Sequence, residues 1–163
     1  MILEGSHTFS GRPETIWPLL LDAEVIAKAM PGAKELVRTA PDRYHGRMVV
    51  TVGPITAAEF DLDVGIAEQD PPRRLVMTVD SKGRFGFAQG KARVELEAQD
   101  GGTRMGYQAE LQVGGKIASV GQRLLDVVGR ALMRKGLEAL GEEVERRLGL
   151  AGSDGSEGSG ERG

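Results

Sequence analysis

Two histidines, His7 and His45, supply all the imidazole of a 163-residue chain that has no cysteine. Disulfides, thiolate metal sites and a cysteine nucleophile are therefore excluded. A histidine base needs an orienting carboxylate and a nucleophile or substrate proton within reach, and neither residue has them nearby in sequence. Both read as structural or edge histidines. The patterns HExxH, GxxxxGK(S/T) and GxGxxG after a strand do not occur, so zinc hydrolysis, nucleotide hydrolysis and dinucleotide redox have no positive support. No catalytic residue and no metal ligand is assigned.

The carboxylates do not converge either. Glu59, Asp61 and Asp63 alternate along one stretch, Glu95 and Glu97 along another, which is the pattern of a solvated strand face. Asp126 lies three residues after Arg123 and four before Arg130 in a helical stretch, where a surface ion pair is the ordinary reading.

The large adaptable side chains are more informative. Trp17, Met48, Phe60, Met77, Phe85, Phe87, Met105 and Tyr107 fall largely on apolar faces, and a sheet wrapped around one helix can leave a cavity between such residues. Core packing explains most of them equally well. Tyr107 is sharper, because a hydroxyl on an otherwise apolar face requires a partner: a side chain, a backbone group, water or a ligand. The candidate lining comprises Trp17, Phe60, Met77, Phe87 and Tyr107, with Leu125 and Val128 from the last helix.

Which elements must position these residues follows from the hydrophobic period. A strand over 2–9 leads through Ser10-Gly11-Arg12-Pro13 into a helix bearing Ile16, Trp17, Leu19 and Leu20, with Ser10 or Gly11 as its cap. A second short helix over 22–30 stops at Pro31-Gly32. From Lys34 the period changes from 3.6 to 2, predicting a short strand over 35–39 and longer ones over 44–52 and 55–68. On these, Met48, Val50 and Val52 share one face, as do Phe60, Leu62, Val64 and Ile66. Leu75, Met77 and Val79 line a further strand, and Val94 with Leu96 another. Asp100-Gly101-Gly102 then turns the chain onto 103–113, with Met105, Tyr107, Ala109, Leu111 and Val113 inward. The stretch from Gly83 to Lys91, with glycines around Phe85 and Phe87, reads as a bent strand or a pocket lip.

A long helix over 116–148 closes the domain, since Ile117, Val120, Leu124, Val128, Leu132, Leu137, Leu140, Val144 and Leu148 recur at helical spacing. Gly121, Gly129, Gly136 and Gly141 inside it each cost about 1 kcal/mol against alanine, so either the helix bends or something approaches it closely. The order defines an α+β fold in which an antiparallel sheet curls around the final helix. Residues 1–148 form one domain and 149–163 a disordered Gly/Ser/Glu-rich tail.

A formal charge of −3, from 21 basic and 24 acidic residues, is too balanced to draw the chain onto a polyanion, so nucleic acid is not an expected partner. No apolar run is long enough to cross a membrane and no targeting pattern opens the sequence, which reads as cytoplasmic.

Met30-Pro31-Gly32-Ala33, Val52-Gly53-Pro54-Ile55, Gly86-Phe87-Ala88-Gln89-Gly90 and the run from Val113 to Gly121, followed by Arg123-Leu124-Leu125-Asp126, resemble the CoxG family of carbon monoxide dehydrogenase subunits. That family lies in the helix-grip (Bet v 1-like, START-like, SRPBCC) superfamily, with polyketide cyclases, lipid-transfer domains and plant allergen-like proteins. The matching positions are Pro31, Gly32, Gly53, Pro54, Phe87, Gly90, Gly114, Gly115, Lys116 and Asp126. The resemblance implies about seven antiparallel strands gripping a long C-terminal helix, two short helices between the first two strands, and an internal hydrophobic cavity. It also implies a non-catalytic accessory role beside a carbon monoxide dehydrogenase-like molybdenum hydroxylase, in recruitment, electron transfer or maturation.

By that reading the ligand is a hydrophobic small molecule, menaquinone, ubiquinone or another lipid, with no covalently bound cofactor. Peripheral association with the inner face of the cytoplasmic membrane would run through the partner, because the tail has no apolar stretch. Self-association into a homo-oligomer stays open. Two other readings are carried: a cyclase- or hydrolase-type enzyme using Tyr107 or His7 in proton transfer, which needs a second polar group within about 3 Å in the cavity, and a ligand-free adaptor with an exposed apolar patch on the final helix.

Overall fold

The computed structural model describes residues 1–160, with side chains through Gly149. The tail expected over 149–163 falls, from residue 150 on, outside the residues described in full. The chain runs β1 (Ile2–Phe9), α1 (Pro13–Leu20), α2 (Ala23–Ala29), β2 (Ala33–Ala40), β3 (Arg43–Val52), β4 (Ile55–Asp70), β5 (Arg74–Gly83), β6 (Gly86–Gln99), β7 (Gly102–Gly114), a 3-10 turn (Lys116–Val120) and α3 (Gln122–Gly160). Seven strands form one antiparallel sheet in the order β1-β7-β6-β5-β4-β3-β2. The first and last strands pair, Ile2 opposite Glu110 through Phe9 opposite Thr103, so the N-terminus is held beside the strand that leads into α3.

Period two sets the inner face. On β4, Phe60, Leu62 and Val64 are 1–4% exposed while Glu59, Asp61 and Asp63 face solvent. The register places Tyr44 opposite Val64 and Met48 opposite Phe60 on β3, and Val79 and Met77 opposite Val64 and Ile66 on β5, so the apolar parities of neighbouring strands stack into one concave wall. The outer face is tied by exposed polar pairs: Arg47 binds Glu35 and Glu59, and His45 Nδ1 meets Asp63 at 2.9 Å. His45 is thus a surface residue.

Three expectations change. The predicted cap of α1 is not made by Ser10 or Gly11: Arg12 occupies the cap position without a side-chain bond, and Ser10 gives its N–H and hydroxyl to Glu145 on α3. A tertiary partner displaces the local one. Asp22 caps α2 instead, accepting from the N–H groups of Glu24 (2.9 Å) and Val25 (3.2 Å). The helix predicted over 116–148 is broken at Gly121, whose φ of +100° lies outside the helical region and separates the 3-10 turn from α3. Asp126 pairs with no arginine among the described residues; it accepts from the Gln122 amide at 2.7 Å, one helical turn away.

The glycines inside α3 answer to close approach. A Cβ on Gly136 would collide with the Ala29 carbonyl at the end of α2, and one on Gly141 would run into the His7 ring. Gly129 faces Met1 and Leu3. The helix is therefore clamped between α2 on one side and β1 on the other, with no room for a side chain at Gly136 or Gly141. Arg147 adds a polar tie, reaching Asp22 and Glu24 of α2 at 3.3 and 3.1 Å and Glu143 of its own helix at 3.0 Å.

Candidate functional site

Between the concave face of the sheet and α3 lies a cavity of about 380 Å³. Its wall is built from the inward parities of β3 to β7, from α2 and from the inner stripe of α3, and it is almost wholly apolar. Six of the seven residues that the sequence nominates stand on it: Phe60, Met77, Phe87, Tyr107, Leu125 and Val128. Trp17 does not. It is 7% exposed and belongs to the packed cluster with Phe9, Ile16 and Val144, which do not line the cavity.

Phe87 belongs to the cavity's rim. It lies on the outer parity of β6, opposite Gly114, and is 37% exposed, with its ring over the Gly114 backbone where a Cβ would come within 2.5 Å. Within the stretch from Gly83 to Lys91 only Arg84 and Phe85 form a turn, and the rest is regular strand, with Gly86 at φ +119° starting β6. Beside it, Met1, Phe87, Leu111, Val113 and Leu125 are shared between the cavity and an outer depression that also takes in Gln112 and Gln122. This is the cavity's mouth.

Polar groups on the wall are few. The Tyr107 hydroxyl has no protein hydrogen-bond partner among the described residues, and its pKa is raised by burial alone, so it is a protonated donor at neutral pH. Ser81 on β5, 7% exposed, also lines the cavity without a side-chain partner. Neither hydroxyl is sealed within the packing, since no fully buried side-chain polar atom goes unpaired among the described residues. Sequence reasoning missed Ser81, although it continues the parity of Leu75, Met77 and Val79. It also missed Leu132, Met133 and Ile117, whose helical spacing or position beside the family motif was the available signal.

His7 does not line the cavity. Its ring packs 4.8 Å from that of Phe9 and against Gly141. No second polar side chain hydrogen-bonds Tyr107; the Glu145 carboxylate, held by Ser10, lies near enough to His7 to feel its charge but makes no hydrogen bond to it. No group of three or more metal-ligating side chains occurs among the described residues. The exposed large apolar residues among them are Ile2, Val37, Phe87 and Val127, each on a different element, so α3 offers Val127 alone rather than a patch. No described helix is long and apolar enough to cross a membrane.

A seven-strand antiparallel sheet curved around a C-terminal helix, with two short helices inserted after the first strand, is the helix-grip or Bet v 1-like class. Solved structures of this shape include a conserved protein from Geobacillus kaustophilus, 24% identical over 90% of this chain and 96% of its own, with a TM-score of 0.80. TTHA0849 from Thermus thermophilus is 15% identical over 90% and 99% of the two chains, with a TM-score of 0.67. Ara h 8.0201 is 14% identical over 90% and 98%, with a TM-score of 0.59. No curated protein matches in sequence. Within the class, residues 5–145 match the CoxG family, the G-type subunit of carbon monoxide dehydrogenase, and the chain belongs to that family.

Proposed function

We propose that this protein is a non-catalytic carrier that holds a hydrophobic molecule, a respiratory quinone or another lipid, in the cavity under α3 and serves a carbon monoxide dehydrogenase-like molybdenum hydroxylase. The observation that carries the ligand reading is the cavity itself: about 380 Å³ of apolar space, within the range of small-molecule pockets, kept open in a domain whose other end is packed solid. Apolar surface left lining a void forgoes roughly 25 cal/mol per Å² that burial against a ligand would recover. The dehydrogenase partner is supported by family membership.

The ligand part is tested by mass spectrometry of an organic extract of the protein purified from its native host. A stoichiometric isoprenoid quinone or lipid is the expected result. An empty extract, together with failure of added menaquinone and ubiquinone to bind, overturns it and leaves a protein-binding adaptor. The partner part is tested by co-purification with the dehydrogenase, and a pull-down that recovers none of that enzyme overturns it.

A further inference from the structure

The two hydroxyls on the cavity wall differ in depth. Ser81 is opposite Ala88, which is opposite Val113, so it stands near the mouth. Tyr107 is six residues further along β7 from Val113, about 20 Å along the strand at roughly 3.3 Å per residue. Around Tyr107 the same face carries Met105 and Ala109 on its own strand and Val94 opposite on β6, all apolar. On its other side β1 presents Gly5, where a Cβ would collide with the tyrosine hydroxyl. Gly5 is a seat for the ring: the missing side chain lets the hydroxyl lie against the wall at the place it occupies.

A hydroxyl donor on an apolar cavity wall, with no protein acceptor, is matched by a ligand that brings the acceptor. Charge narrows the ligand further. Among the described residues the one charged side chain along the cavity is Lys91, which lies on the outer parity of β6 and is exposed. The Met1 ammonium is at the mouth, where it donates to the Leu111 carbonyl at 3.0 Å. An anionic head group placed beside Tyr107 would lose its water and find no cation.

We propose that Tyr107 is the hydrogen-bond anchor of the cavity, positioned by Gly5, and that the ligand is an uncharged lipid with a carbonyl-type acceptor at its inner end and an apolar remainder running to the mouth at Phe87 and Leu125. The same wall denies a fatty-acid carboxylate the place beside Tyr107, so such an anion enters only with its head group at the mouth. This inference rests on the carrier reading above and adds to it the polarity, charge and orientation of the ligand.

The test uses the full chain and three probes. Diphenylhexatriene, which has no acceptor, reports cavity occupancy by fluorescence; decylubiquinone and palmitate are measured as its competitors. Palmitate, whose carboxylate stays at the mouth, binds the wild type and Tyr107→Phe equally. Tyr107→Phe weakens decylubiquinone by about three- to tenfold, the loss of one neutral hydrogen bond, and leaves diphenylhexatriene unchanged. Gly5→Ala does the same by moving the ring. Equal decylubiquinone affinity in the wild type and Tyr107→Phe, or a palmitate affinity that falls as much as the quinone's in Tyr107→Phe, overturns the anchor while leaving the carrier reading intact. Failure of diphenylhexatriene to enter the wild-type protein overturns the carrier reading and the anchor with it.

Discussion

The two ends of the domain use the same apolar residue types to opposite effect. At the end closed by α1 and the later turns of α3, Phe9, Ile16, Trp17 and Val144 are 0–7% exposed and pack together without lining the cavity. Under the first turns of α3, Met48, Met77, Tyr107 and Val128 are only partly buried and face open space. The cause is what covers each end. At the first, α1 packs onto β6 and β7 and the later turns of α3 add Val144, whereas at the second α3 rests on β1 and α2 and leaves space over the middle strands. Composition does not separate a core from a container; where the covering element lies does.

The largest test of this contrast is at the solid end. Phe9→Ala removes a ring packed on all sides and is expected to cost about 3–5 kcal/mol, read by denaturant unfolding. A cost near that of a surface substitution would show that this end is not solid. Gly136→Ala comes next: its methyl would collide with the Ala29 carbonyl, which has to shift, at about 1–3 kcal/mol in the same assay, with altered ligand affinity because α3 moves off α2. Met77→Ala on the cavity wall opens space beside a void that already exists, so little beyond the transfer of its own half-buried atoms is lost, about 1 kcal/mol. A Met77 penalty equal to that of Phe9 would erase the distinction between the two ends.

The smallest effect concerns the clamp on α3. Hydrogen bonds from Arg146 and Arg147 hold the Glu143 carboxyl down at about 2, below its ordinary 4.5. A depressed carboxylate pKa contributes stability that is fully present above the unfolded value and is lost as pH falls from about 4.5 toward 2. Glu145, lowered by its bonds from Ser10, acts in the same direction. Glu143→Gln is therefore expected to lower Tm at pH 7 by about 1–3 °C, as for a partly exposed pair, and to flatten the acid limb of a Tm-against-pH profile. An unchanged acid limb would remove Glu143 from the clamp.

Much of this architecture is legible in the residues. The alternation of Phe60, Leu62, Val64 and Ile66 with Glu59, Asp61 and Asp63 assigns β4 and its inner face, because a strand with one buried side tolerates no slip of register. The same holds for Met105 to Val113 on β7. The family motifs point to the helix-grip class, and the fold agrees. Local patterns did less well where a distant group competes. Ser10 abandons the cap for Glu145, and Asp126 prefers Gln122 to its neighbouring arginines. Trp17 looks like a cavity residue by size and period, and lies instead in the packed end.

What the sequence determined by itself is the face each strand turns inward, the order of elements and the family, since these depend on periodicity and short motifs carried along the chain. The tertiary structure alone decided that the inward faces enclose a cavity, which residues reach it, and that Tyr107 is left without a partner against Gly5. Those facts depend on where α3 lies across the sheet and on the space it leaves over the middle strands. That position is set by contacts between residues far apart along the chain, such as Gly136 on Ala29 and Gly141 on His7, which no local pattern encodes.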